Sequence, residues 1–148
     1  MKWRRPWLRR WAAVAAGAVL LLALQWWFGR PETWPRDTIL TALRHVESSD
    51  RPNPPDGDGG LAIGPYQIHQ GYWLDATAFD STLGGSYQDC RQRAYAERVI
   101  DAYMRRHAAA AWATGHAETI ARIHNGGPRG VTNPKTDGYW RRVRERLP

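Results

Sequence analysis

From Trp11 to Phe28 the chain is apolar almost without interruption, with Gln25 its one strongly polar member. Past residue 36 the pattern changes to a helical period. Ile39, Leu40, Leu43 and Val46 recur three and four residues apart, which predicts an amphipathic helix that Asp37 would cap. Glu47 lies four residues after Leu43 and seven after Leu40, on the same apolar stripe near the predicted C-terminus. Residues 49–60 are rich in proline, glycine and aspartate and read as an ordered turn. Leu61 to Ile68 reads as a short strand pair broken at Gly64-Pro65. A brief helix is expected over Gly71 to Ala78. A long one is expected over Ser86 to Ala110, burying Ala94, Val99, Ile100, Tyr103 and Met104. His116 to Ile123 predicts a further helix, stopped at Asn125-Gly126-Gly127-Pro128, and Gly138 to Leu147 a last one. The fold class is α+β, mostly α, with one small sheet.

Charge separates the first thirty residues from the rest. They hold six of the 21 basic residues and none of the 14 acidic ones, so the remainder carries 15 bases against 14 acids. The net charge of +7 belongs almost wholly to the leader, and a basic face for nucleic acid is not expected on the domain. Lys2, Arg4, Arg5, Arg9 and Arg10 precede the apolar run, and Trp26, Trp27 and Phe28 close it. That order predicts a signal anchor over residues 1–30, or alternatively a cleaved signal peptide. An anchor would hold the domain at the inner membrane, facing the periplasm or exterior; cleavage would secrete it. A Pro-rich linker over 31–36 and a domain over 37–148 follow.

Cys90 is the single cysteine, so no intramolecular disulfide can form and the domain must rest on its core, with Trp34, Trp73, Trp112 and Trp140 as expected contributors. No sequence signature marks Cys90 as a nucleophile, and a buried structural thiol is the expectation. The five histidines show no metal-ligand spacing. A calcium-loop reading of the Asp56-x-Asp58 tract fails, because Gly60 stands at a ligand position and Leu61 where glycine is required. Neither a metal nor a cofactor is expected.

The chemistry resides in carboxyls. Burial of Glu47 on an apolar stripe would raise its pKa. The aspartates of the following turn could stand across a cleft from it. A protonated acid facing an ionised carboxylate is the arrangement that glycosidic cleavage commonly uses.

Four tracts, in order, carry a family resemblance: Val46-Glu47-Ser48; Gly64-Pro65-Tyr66-Gln67-Ile68 with Tyr72-Trp73-Leu74-Asp75; Tyr103-Met104-Arg105-Arg106; and Ala121 to Pro128 with Gly138-Tyr139-Trp140 downstream. They span about residues 38–145, and the chain resembles the invertebrate-type lysozyme and destabilase family. The resemblance implies a lysozyme-like fold that cleaves the N-acetylmuramic acid–N-acetylglucosamine linkage of peptidoglycan. It implies Glu47 as the acid and Asp58 or Asp56 as the second carboxylate, with Asp58, directly before Gly59-Gly60, preferred. It implies glycan contacts along Ile68, His69, Tyr72, Trp73 and Asp75, then at Tyr103 and at His124 with Asn125 and Gly126. Of Tyr72 and Trp73, one is expected to pack and the other to face sugar. The animal members are cysteine-rich and this chain is not. Two rival readings stay open: a lytic transglycosylase using Glu47 alone, and a membrane-tethered glycan-binding module without turnover.

Overall fold

The hydrophobic stripe of the first predicted helix is the wall on which the core is built. In the computed structural model, which describes residues 32–148, α1 runs Arg36–Ser48 and buries Ile39, Leu40, Ala42 and Leu43. Its N-cap is Pro35 rather than Asp37, which lies in the first turn, where a carboxylate suits the positive end of the helix dipole. The segment before it is tied down: Thr33 bridges His116, and the Trp34 N–H donates to the Gly115 carbonyl at 2.8 Å. The helix ends where Ser49 turns left-handed at φ 54°.

The sheet is one antiparallel pair, β1 (Ala62–Ile63) and β2 (Ile68–His69), with Ala62 opposite His69 and Ile63 opposite Ile68. Gly64 turns the chain between them at φ 73°, and a Cβ there would stand 2.1 Å from the Cys90 carbonyl oxygen, so only glycine fits. Four helices follow β2 before the last: α2 (Gln70–Phe79), α3 (Arg93–His107), α4 (Ala109–Thr114) and α5 (Ala117–Gly126). The last, α6, is Asp137–Arg144. α3 packs against α2, α4 and α5, while α6 closes on α1 and α5. Their inward faces meet in one core that includes Tyr66, Val99, Ile100, Met104, Trp112 and Ile120. Trp34, Trp73 and Trp140 are partly buried against its edge, and Cys90 is fully buried within it, its thiol pushed up to about 12 by desolvation.

The long helix expected over Ser86–Ala110 is divided. Ser86 and Asp89 do form a reciprocal capping box, with the Ser86 N–H donating to Asp89 Oδ2 at 2.7 Å, but it opens a 3₁₀ turn over Tyr87–Arg91. Gln92 is extended, the chain restarts as α3, and Ala108 breaks it again before α4. With the start displaced, Ala96 faces the core and Ala94 faces solvent. The leader lies outside the described residues. Among the described ones, no helix is long and apolar enough to cross a membrane.

Candidate functional site

α1 ends at the mouth of a cleft of about 740 Å³, and Glu47 projects from its last turn into that cleft. The apolar stripe that seats α1 also takes Glu47 out of water, leaving 18% of its side chain exposed. Desolvation pushes its carboxyl up to about 7, against the opposing pull of a hydrogen bond from Tyr139 and the charge of Arg142; the negative charge of Asp58 adds to the rise. The Tyr139 hydroxyl donates to Glu47 Oε1 at 2.7 Å. With Oε1 occupied as an acceptor, the proton of the acid form is carried on Oε2.

Asp58 lines the same cleft from the other side of the turn region. Gly57 and Ala62 exchange backbone bonds of 2.9 and 3.1 Å, which pins the turn to β1. Asp58 then opens a one-turn 3₁₀ segment at φ 49°, a conformation that aspartate tolerates better than most residues. His69 Nε2 meets its Oδ2 at 2.9 Å, and both side chains are half or more exposed. Asp56 is committed elsewhere: Arg91 grips both its oxygens, one at 2.8 Å, and this pairing holds its carboxyl below the usual range. It borders a separate, smaller cavity and not the main cleft.

The remaining expected contacts divide. Ile68 and His69 line the cleft from β2. Tyr72 forms its wall, stacked on Tyr103 at 3.6 Å between ring centroids and edge-on to His124 at 5.6 Å. Trp73 is turned away: its indole N–H donates to Tyr95 Oη at 3.0 Å and its ring lies near Tyr87. Consecutive side chains leave α2 about 100° apart, so Tyr72 faces the cleft and Trp73 packs. Asp75 lies on the cleft, held by Arg106 Nη1 at 2.9 Å and by His107. Asn125 reaches the cleft, as do Gly127 and Pro128 beyond it. Gly126 does not; a Cβ there would meet Thr136 Cγ2 at 2.5 Å, so it serves the packing of the loop behind.

His124 lies at the floor, 9% exposed, with Nε2 3.7 Å from Glu47 Oε1 and Nδ1 3.4 Å from Tyr72 Oη. Burial lowers its pKa to about 4, so at neutral pH it is an uncharged ring and the Glu47 contact is no ion pair. Because it fills the floor, its removal would leave a cavity as well as alter the site.

Three side chains of this site escaped sequence reasoning. Tyr139 stands 92 positions from Glu47, and nothing local reveals that contact. His107 had a signal, one helical turn after Tyr103 on the same face, and the two rings lie 4.6 Å apart. Gln67 lines the cleft from a left-handed position at φ 46° between the strands. Among the described residues, no cluster of His, Cys, Asp or Glu is arranged to hold a metal ion.

A family model described as destabilase matches residues 39–146. The chain belongs to the destabilase family of invertebrate-type lysozymes. Lysozyme 1 of Crassostrea virginica is 40% identical over 106 residues, covering 70% of this chain and 55% of that protein. A lysozyme of Magallana gigas is 32% identical over 131 residues, covering 87% and 91%. The chain thus spans little more than half the length of the Crassostrea relative and nearly all of the Magallana one. Among solved structures, Meretrix lusoria lysozyme in complex with Aeromonas hydrophila PliI superposes with a TM-score of 0.61 at 33% identity, covering 73% of this chain and 87% of that one. Tapes japonica lysozyme gives 0.60 at 28%, with the same coverage. The lysozyme-like fold of this destabilase-family member agrees with the mostly helical, single-hairpin architecture read from its sequence.

Proposed function

We propose that the chain is a peptidoglycan muramidase that cleaves the N-acetylmuramic acid–N-acetylglucosamine linkage with Glu47 as acid and Asp58 as the second carboxylate. The observation that carries this reading is the pair's asymmetry. Glu47 is desolvated and raised to about 7, while Asp58 stands solvated in the same cleft with a histidine on its carboxylate. Environments that push two carboxyls apart in this way assign the acid to the buried one. Membership in the family, and relatives that are lysozymes, support the same class of activity.

In the proposed retaining course, Glu47 Oε2–H protonates the glycosidic oxygen as the bond to the anomeric carbon breaks. Asp58 attacks that carbon or stabilises the oxocarbenium-like state, oriented by its bond to His69. Glu47, now ionised, takes a proton from a water whose oxygen bonds to the anomeric carbon; any bond from that carbon to Asp58 breaks, Asp58 returns to carboxylate and the sugar leaves with a new hydroxyl. Tyr72, Tyr103, Asp75 and Asn125 form the walls that hold the sugar rings, combining ring faces with placed polar groups.

The lytic transglycosylase reading keeps one observation in its favour: 70% of the Asp58 side chain is exposed, which suits a lone-acid mechanism in which the muramic 6-hydroxyl closes the ring. Mass spectrometry of muropeptides after digestion decides. Reducing ends support the muramidase, anhydro ends the transglycosylase, and no release a binding module. The basic, aromatic-ended leader supports export, with the domain facing the periplasm or exterior.

A further inference from the structure

Glu47 and Gln67 form a partition with a cavity on each side. One is the main cleft. The other, about 220 Å³, is bordered by Ser49, Arg51, Pro54, Pro55 and Asp56. The partition is held firmly: the Gln67 side-chain amide donates to the carbonyls of Pro55 at 3.2 Å and Gly64 at 2.9 Å. The outer rim is stiffened by two prolines, and the Arg51 N–H is fixed on the Ser48 carbonyl at 3.1 Å.

The charges around this cavity are mostly spent. Asp56 is taken by Arg91, and Asp50, next to the rim, is taken by Arg44. Arg51 is exposed and has no ion-pair partner among the described residues. The cavity therefore presents one uncompensated cation beside the proposed acid.

We propose that this second cavity receives the peptide stem that branches from muramic acid, with Arg51 pairing to a stem carboxylate. The inference rests on the muramidase reading above. The stem leaves the sugar through a lactyl ether on the ring's third carbon, two carbons from the anomeric centre. A glycan whose scissile oxygen meets Glu47 thus starts its branch close to the partition. A guanidinium can grip a carboxylate through two parallel N–H bonds, so a stem carboxylate is the matching group.

The test compares two substrates from one cell wall: peptide-bearing glycan strands, and the same strands stripped of peptide by an amidase, with the lactyl carboxylate so freed capped as its methyl amide. With Arg51→Ala in the full chain, kcat/KM should fall roughly three- to tenfold on peptide-bearing strands, as expected for a lost, partly exposed charged hydrogen bond, and stay level on stripped ones. Arg51→Lys should recover part of the loss. Equal loss on both substrates, or no loss on either, overturns the assignment. Failure of the muramidase reading has a different signature: the unmodified chain would release reducing ends from neither substrate. Affinity for the two strand types, measured with Glu47→Gln and with Glu47→Gln/Arg51→Ala, tests the cavity without turnover. There, a preference for peptide-bearing strands that Arg51→Ala does not reduce sinks the proposal.

Discussion

Glu47 is placed against its own stability. Its carboxyl is raised from 4.5 to about 7, so the folded chain holds a proton there that the unfolded chain has released. The stability contributed by the neutral form is fully present below about pH 4.5 and is lost as pH rises through 7. The gap corresponds to roughly 3 kcal/mol when the group is fully ionised. Glu47→Gln mimics the neutral form and keeps an acceptor for Tyr139. It should abolish glycan cleavage, by about 10²–10⁴-fold. It should also raise the melting temperature by several degrees above pH 7 and leave it unchanged near pH 4. An unaltered melting temperature at pH 8 would mean that Glu47 is not held in its acid form. Tyr139→Phe removes a bond that pulls the Glu47 pKa down. The alkaline limb of its kcat/KM profile should therefore move to higher pH, with a modest stability loss of about 1 kcal/mol. A limb that stays in place would separate Tyr139 from the acid's titration. Glu47's burial was legible because it reads directly from a seven-residue stripe. Tyr139 was not, since a contact 92 positions away leaves no trace in local periodicity.

Elements were legible wherever one face alternates cleanly, and misread where the backbone carries the instruction. α1, α5 and the strand pair lie within a few residues of their expected places, because apolar spacing and breakers agree there. The long helix expected from Ser86 is interrupted because the Ser86–Asp89 capping box begins only a single 3₁₀ turn; local capping chemistry is the same for both helix types. Which of Tyr72 and Trp73 packs is not legible in the sequence, because a short helix with both faces partly covered gives no strong periodicity. The hairpin between α1 and α2 offers a contrast between two left-handed glycines. Gly64 has the Cys90 carbonyl oxygen 2.1 Å from where a Cβ would stand, while Gly59, at φ 67°, has open space. Gly64→Ala should cost roughly 2–4 kcal/mol and weaken activity, since both strands carry cleft residues. Gly59→Ala should cost only about 1 kcal/mol. Denaturant midpoints of the two variants check this, and equal costs would mean that the close approach at Gly64 relaxes freely.

On the scale of the whole chain, charge and hydrophobicity are divided between two segments. The domain from residue 32 onward has its own core, its own cleft and a nearly balanced charge, 15 bases against 14 acids. Residues 1–30 hold the excess of cations and the longest apolar run. Order of motifs along the chain revealed the family and singled out Glu47 as the candidate acid. Which aspartate faces the cleft was settled by Arg91, 35 positions from Asp56. A cation placed by the turn after β2 and α2 has no local signature, so that choice needed the fold. The division of labour has a consequence for location. Tagged full-length protein should sediment with membranes and retain Met1, because five basic residues precede an apolar run ending in aromatics. A chain lacking residues 1–31 should stay in the cytoplasm, yet cleave purified glycan strands as well as the full chain does, since the described cleft residues all lie between Glu47 and Pro128. Soluble exported protein with a shortened N-terminus would identify the leader as a cleaved signal peptide. Loss of cleavage on removing residues 1–31, with the melting temperature kept, would give the leader a share in the site and overturn the division.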